Sequence, residues 1–188
     1  MKFSKYIGPV FVAACVLIAI MVNGCASVRV SLMNFMPKFS ADQSVYEGKG
    51  VYLMNFQNQA SDTSIWDYFS PDHKFCYGTE TFIHNYFWYS FQASLVKAGM
   101  LVSKADNPDP FAPAMWLTLR SITDEQSVVD LTVQLKVITV FVERYVISEL
   151  PLLGYRRNPD NLEKRAYKMT NRLIEAILSD PGFKKIFI

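Results

Sequence analysis

The strongest constraint on the fold is a run of alternating apolar and polar residues in the second half of the chain. The apolar set is Val129, Leu131, Val133, Leu135 and Val137, and the polar set between them is Asp130, Thr132, Gln134 and Lys136. Because successive side chains of a strand point to opposite faces, this alternation predicts one buried and one solvated face. It is typical of an antiparallel sheet. The apolar phase shifts from Ile138 onward, which predicts either a bulge near Thr139 or passage of the strand under a covering element there.

Two amphipathic segments are suited to cover the apolar face of this sheet. Residues 81–98 carry apolar side chains at three- and four-residue steps and are followed by Gly99, which suits a left-handed helix cap. Asn158 and Pro159 predict the start of a last helix, which Pro181 should stop. Further strands are predicted at 51–56, 100–103 and 114–122, and loops at 58–79, 104–113 and 145–157. We therefore predict an α+β domain, an antiparallel-dominated sheet of about four strands with two helices packed on one face.

The first 24 residues are not expected to belong to this domain. Lys2 and Lys5 give a basic start, residues 6–22 carry no charge, and Gly24 and Cys25 follow. A basic start, an apolar stretch and a small-residue exit are typical of an export signal. The cysteine after a small residue resembles the lipobox of bacterial lipoproteins. In that family the cysteine sulfur receives a diacylglycerol, the peptide is cut before the cysteine, and the new amino terminus is acylated.

Two other interpretations of this segment remain open. Cys15 also follows small residues, but a cut there would leave the apolar residues 16–22 on the mature chain. An uncut membrane helix needs about 20 apolar residues, whereas residues 6–22 are slightly short and include Pro9. Within the lipoprotein family, an Asp after the cysteine tends to retain the protein in the inner membrane. Ala26 at that position implies the outer membrane, with the protein facing the periplasm.

Without its signal peptide the chain is charge-balanced. Loss of Lys2 and Lys5 reduces the 19 basic residues to 17, which equals the number of acidic residues. A nucleic-acid-binding protein needs a basic face, so we expect no nucleic-acid partner. The predicted organisation is a signal peptide over residues 1–24, a tether over 25–49 that follows lipidated Cys25, and a single periplasmic α+β domain over 50–188.

Residues that could carry catalysis or bind a metal are few. His73 and Cys76 have the spacing of a ligand pair, but a closed zinc site needs four ligands and no second pair follows. A nucleophile pair of Cys76 and His84 rests on co-occurrence alone. With Cys25 acylated, Cys76 has no disulfide partner and is either a buried, inert thiol or a free one. The chain lacks a Gly-x-Ser-x-Gly elbow and a phosphate-binding glycine loop. We therefore expect no enzyme activity, no metal and no cofactor.

Aromatic residues provide the best candidate for a binding surface. Rings at Phe82, Phe91 and residues 86–89 point in most directions around the first predicted helix, which implies burial on two sides. The second side could contact the 58–79 loop, a neighbouring protein or a lipid. The residues predicted to bind a partner are Trp66, Tyr68, Phe69, Tyr86, Trp88 and Tyr89.

A basic cluster lies at the start of the last helix. Its members are Arg156, Arg157, Lys164 and Arg165. Such clusters are usually solvated surface, and contact with phospholipid headgroups or with a partner is the sharper hypothesis.

The order of elements resembles that of small periplasmic lipoproteins that assist ABC-type transport systems. The resemblance lies in residues 84–88, the turn at 98–102, the late strand pair and the helix over 162–178, and it covers about residues 50–180. It is a likeness of pattern and topology. It implies a role in moving lipids or lipophilic molecules across the periplasm beside membrane-bound transport components, and it offers no catalytic residues.

These observations predict a lipid-anchored periplasmic accessory protein of an envelope transport system. Its partners would be the membrane, through the acyl chains on Cys25, envelope transport proteins and a possible lipid ligand. The alternative is a structural or assembly lipoprotein of a secretion or surface-appendage machine. A thiol hydrolase that uses Cys76 is a third class.

Overall fold

The computed structural model describes residues 27–30, 32, 34–60, 67–69, 76–79, 82–103, 111–123, 125–151 and 158–188. The strands are β1 Ser27–Val30, β2 Gly50–Asn58, β3 Asp67–Phe69, β4 Cys76–Thr79, β5 Leu101–Ser103, β6 Ala114–Ile122, β7 Gln126–Leu135 and β8 Ile138–Ser148. The helices are α1 Ile83–Lys97, α2 Pro159–Ser179 and α3 Pro181–Lys185. In these parts of the chain, no helix is long and apolar enough to cross a bilayer.

The main sheet is mixed. Its strand order is β5-β2-β6-β7-β8, and β2 runs parallel to both of its neighbours, whereas the β6–β7 and β7–β8 pairs are antiparallel. A second sheet has the order β1-β4-β3. The prediction of an antiparallel-dominated sheet of about four strands was therefore wrong. Local patterns could not show that β2 and β6 pair in parallel, because a long stretch of chain that includes α1 separates them.

The alternating run ends in a tight hairpin. Lys136 and Val137 form a two-residue turn with φ of 48° and 65°, and β8 begins directly after them. Such turns favour Asn-Gly, and a β-branched residue at positive φ is rare. The sequence signal for a turn was therefore missing. A register shift does lie beside Thr139, but the apolar phase changes mainly because the chain reverses direction. The predicted loop at 145–157 was placed too early, since β8 continues to Ser148.

One face of the main sheet forms the core. Buried residues alternate along β6 and β7, and α1 and α2 contribute apolar faces to the same cluster; the best-buried examples are Met115, Leu117, Val129, Leu131, Phe87, Phe91, Met169 and Leu173. The opposite face carries the ion pairs of Asp130 with Arg120 and Arg144, at 2.7 and 2.6 Å. The predicted two-faced strand therefore has its apolar side under the helices.

The residues before β2 pack onto the domain. Residues 34–40, here called the strap, run along α2 in the direction of its carboxyl end. Three strap amides donate hydrogen bonds to α2 side chains: Asn34 to Tyr167 (3.0 Å), Lys38 to Asn171 (2.7 Å) and Ser40 to Glu175 (2.6 Å). Leu32, Ala41 and Tyr46 are buried in the core. The folded domain therefore starts well before residue 50, within the segment predicted to be a tether.

Candidate binding grooves

The strap divides the outer surface of the helical layer into two grooves. It lies between α1 and α2, because the Phe35 ring contacts Tyr86 on α1 and Tyr167 on α2, with centroid distances of 6.0 and 5.9 Å. The Lys97 ammonium on α1 also donates a hydrogen bond to the Pro37 carbonyl at 2.6 Å. The grooves have volumes of about 810 and 780 Å³. Both fall in the range of about 300–1,000 Å³ that is typical of small-molecule sites.

The larger groove, called the aromatic groove, lies between the strap and α1. Its apolar lining includes Leu32, Phe35, Phe82, Tyr86, Tyr89 and Val96. Phe82, Tyr89 and Val96 recur every seventh residue and are 70, 62 and 54% exposed. Residues at this spacing lie on one stripe of a helix. The opposite stripe of α1, with Phe87 and Phe91, is buried in the core. α1 therefore presents a second apolar face, which is the face that lines this groove.

Tyr86 forms the floor of the aromatic groove and does not project from it. It is 2% exposed, and its hydroxyl shares a hydrogen bond of 2.8 Å with the Thr170 hydroxyl on α2. Burial raises the pKa of the Tyr86 phenol, so the group stays protonated at physiological pH. Tyr86, one of the residues predicted to bind a partner, therefore lies beneath the groove and is not an exposed ring. The same hydrogen bond joins the two helices beneath the strap.

The other predicted partner-binding residues are spread over several places. Tyr89 is exposed, and Trp88 is half-buried with its ring edge-on to Tyr89 at a centroid distance of 5.3 Å. Tyr68 and Phe69 belong to β3, where only the backbone is described, and Trp66 lies outside the described residues. The structure therefore brings Tyr86 and Tyr89 together in one groove.

The candidates for lipidation and chemistry are also only partly described. Cys25, Cys15 and His73 lie outside the described residues, and Cys76 is the first residue of β4, where only its backbone is described. His84 is exposed on α1 and stacks on Phe82 at a centroid distance of 5.6 Å. Within the described ranges, no three His, Cys, Asp or Glu residues gather as metal ligands.

The second groove, called the basic groove, lies between the strap and α2. Its lining includes Met36, Lys38, Phe39, Lys164, Lys168 and Arg172. Of the predicted basic cluster, Lys164 lies on this groove and Arg156 and Arg157 are outside the described residues. Arg165 is largely buried and donates to the Glu149 carboxylate and the Leu150 carbonyl.

Glu149 forms ion pairs with two cations that line the basic groove, Lys168 and Arg172. Its carboxylate accepts from Arg165, Lys168 and Arg172 at 3.3, 2.8 and 2.6 Å. Burial raises the pKa of Glu149, and the hydrogen bonds from Lys168 and Arg172 outweigh this effect, so the pKa lies below its usual value. Glu149 falls in a predicted loop, so no local pattern marked it as part of a site. The recurrence of basic residues at 165, 168 and 172, which share one face of a helix, was the available signal.

Comparisons with known proteins extend to the fold alone. No family model matches the chain, and no curated protein sequence does. The fold is similar to the crystal structure of a Xanthomonas campestris protein of the DUF330 family, with a TM-score of 0.59 and 5% identity over 81% of this chain and 93% of that one. A putative neuraminyllactose-binding hemagglutinin homolog from Helicobacter pylori has a TM-score of 0.39 and 10% identity, over 79% of this chain and 87% of that one.

Proposed function

We propose that this chain is a lipid-anchored accessory protein of an envelope transport system, held at the periplasmic face of the outer membrane, and that it binds a partner protein or a lipid without catalysing a reaction. The observation that carries the proposal is the aromatic groove, whose exposed stripe of Phe82, Tyr89 and Val96 faces the strap. An apolar stripe that is left uncovered on a folded domain is typical of a binding surface.

The anchor and the groove are close along the chain. A single residue, Ala26, separates Cys25 from β1, and Leu32 between β1 and the strap already lines the aromatic groove. Acyl chains on Cys25 would hold the protein firmly, since each buried CH₂ adds about 0.8 kcal/mol and two or three chains suffice for stable anchoring. The groove would then lie near the bilayer, where lipids and membrane-bound transport proteins are within reach.

The anchor is tested by replacing the cysteine. In cells fed a labelled fatty acid, we expect the wild type and the Cys15→Ser variant to incorporate label, and Cys25→Ser to accumulate as an unlabelled precursor. Mass spectrometry of the amino-terminal peptide measures the same outcome directly. A mature-size Cys25→Ser protein on the membrane, or label that is lost with Cys15→Ser, would refute the assignment.

The groove is tested by photo-crosslinking in intact cells. A photoreactive residue at Tyr89 should form adducts with a transport permease, a periplasmic transport component or a lipid. The same residue at Phe111, which is 69% exposed and lies outside the groove, is the matched control. Adducts with secretion-ring or appendage subunits would support the alternative assembly role instead. Adducts of equal yield at both positions would contradict a specific groove.

The absence of catalysis is tested at the remaining thiol. Cys76→Ser should preserve function in a strain that lacks the native gene, because the proposed function requires no thiol chemistry. A loss of function with normal protein level and normal lipidation would favour the thiol hydrolase hypothesis.

A further inference from the structure

The basic groove carries more positive charge than its neighbours neutralise. Lys38, Lys164, Lys168 and Arg172 line it, against one lining carboxylate, Glu175. That carboxylate accepts hydrogen bonds from the Ser40 amide and hydroxyl at 2.6 and 3.0 Å. Among the described residues, neither Lys38 nor Lys164 has a carboxylate within ion-pair distance. Within the described part of the chain, the groove therefore has two lysines without an ion-pair partner.

The ion-pair cluster around Glu149 also has an excess of positive charge. Glu149 is a single carboxylate surrounded by three cations, of which Lys168 and Arg172 remain 62 and 51% exposed. Two further carboxylates lie on α2: Asp160 in its first turn and Glu163, which accepts a hydrogen bond from the Tyr167 hydroxyl. The groove and its surroundings then hold five cations, Lys38, Lys164, Arg165, Lys168 and Arg172, against four carboxylates, Asp160, Glu149, Glu163 and Glu175, so a small excess of positive charge remains. Charge complementarity therefore favours an anionic occupant.

The apolar part of the groove comes from the strap. Met36 is 70% exposed, and Phe39 is half-buried with the Lys97 ammonium 5.2 Å above its ring. An exposed apolar residue bordered by lysines matches the boundary between headgroups and acyl chains of a bilayer, where lysines extend toward phosphates.

The position of this face also suggests a bilayer. The strap contacts Tyr167, Asn171 and Glu175 in that order, so β1, which precedes it and also contacts α2, lies toward the amino end of the helix. The proposed anchor at Cys25 is two residues before β1. α2 is about 31 Å long at 1.5 Å per residue. Its basic face is thus within reach of the membrane that would hold the anchor.

We propose that the basic groove binds the anionic phospholipid headgroups of this bilayer and so holds the domain with α2 against the membrane. This proposal depends on the proposed function only for the lipid anchor at Cys25. The charge and shape of the groove are independent of it. The interaction would orient the aromatic groove, on the other side of the strap, along the membrane surface.

The test is amine labelling of the full-length protein, purified in detergent and reconstituted into vesicles. Rates of acylation at Lys38, Lys164 and Lys168 are compared by mass spectrometry with those at Lys49, Lys136 and Lys185, which are also exposed and lie outside the groove. In vesicles of phosphatidylglycerol and phosphatidylcholine, we expect the groove lysines to react about fivefold more slowly than in phosphatidylcholine alone, which is the factor for one lysine at an anionic surface. High salt should restore their rates through screening.

Several outcomes would overturn the proposal. Equal rates in the two kinds of vesicle would exclude an anionic surface as the occupant. If acylation of the control lysines slowed equally, the protein would be attracted to the anionic surface as a whole and not bound through the basic groove. Full protection by soluble short-chain phosphatidylglycerol in phosphatidylcholine vesicles would show a single-lipid ligand in place of bilayer docking. The amino-terminal peptide of the same sample reports lipidation separately, so failure of the anchor and failure of the groove are distinguishable.

The variants follow the same logic. Lys164→Gln and Lys168→Gln together should reduce the slowing at the remaining groove amine, Lys38, and the double replacement of Lys49 and Lys185 by Gln should not. Equal thermal unfolding of both variants would show that neither effect comes from misfolding. Sensitivity to the control replacement would contradict the assigned face.

Discussion

Tyr46 tests whether the segment before β2 belongs to the folded domain. It is fully buried, its ring packs against Phe183 and Phe187 at centroid distances of 5.9 and 5.5 Å, and its hydroxyl donates to the Leu178 carbonyl at 2.7 Å. That carbonyl is in the last turn of α2, where helix carbonyls lack intrahelical partners. Tyr46 therefore both fills the core and satisfies a helix end.

The expected costs differ between two substitutions. Tyr46→Phe keeps the ring but leaves a buried carbonyl without its donor, which should lower the free energy of unfolding by about 1–3 kcal/mol. Tyr46→Ala also removes the ring, and large aromatic truncations in cores cost about 3–5 kcal/mol. Tyr89, which is 62% exposed, is the matched control. Tyr89→Ala should change the same quantity by less than about 0.5 kcal/mol.

The assay is urea unfolding of the purified protein in detergent, followed by tryptophan fluorescence. The free energy of unfolding is extrapolated to zero urea for the wild type, both Tyr46 variants and Tyr89→Ala. The order wild type, Tyr46→Phe, Tyr46→Ala, from most to least stable, supports the packing described above. If Tyr46→Ala were as stable as Tyr89→Ala, residues before β2 would be a tether after all, and the reasoning would fail.

Three further predictions concern backbone strain and pH. Gly99 has φ of +89°, and an added Cβ would approach the Glu47 Cα to 3.2 Å. Gly99→Ala should therefore lower the free energy of unfolding by about 1–3 kcal/mol. An unchanged urea midpoint would contradict this. Val137→Gly should raise the free energy of unfolding by about 0.5–1 kcal/mol, because the relief of positive-φ strain exceeds the entropy cost of glycine. A lower free energy of unfolding would show that the turn is not strained. The hydrogen bond from Arg144 outweighs the effect of burial and keeps the pKa of Asp130 in the folded protein below 3.8. The ionised Asp130 therefore stabilises the fold above pH 3.8, and this stabilisation is lost as the pH falls through the pKa of the folded state. Asp130→Asn should flatten this acid dependence of unfolding, and an unaltered dependence would remove Asp130 as its source.

The parts of the fold that local patterns predicted are those with strong caps or strict periods. β6 has the predicted bounds, and Asn158 caps α2 by accepting from the Asn161 amide at 3.0 Å. Pro181 does end α2, but it also starts α3, because Asp180 accepts from the amides of residues 182 and 183. A proline that stops one helix is also well suited to the first turn of another, and only the neighbouring cap distinguishes the two outcomes.

The sequence predicted a second apolar face on α1 but not which residues form it. Rings all round α1 indicated two apolar faces, and the aromatic groove is the second of them. Which rings line it depended on the rotation of the helix against the sheet, which buries Tyr86 and exposes Tyr89. The basic groove could not be predicted, since one wall of it is the strap, which lies in the segment predicted to be a tether.

Local periodicity and capping residues were enough to predict the two long helices and four of the five strands of the main sheet, because each depends on neighbours along the chain. The export signal indicated by the charge pattern of the first 24 residues stays a prediction. The parallel pairing of β2 with β6, the hairpin at Val137 and the packing of the strap between α1 and α2 were decided only by the tertiary structure. Each of these depends on contacts between residues far apart in sequence, or on packing that overrides local preference. Both grooves depend on those contacts and exist only in the assembled fold.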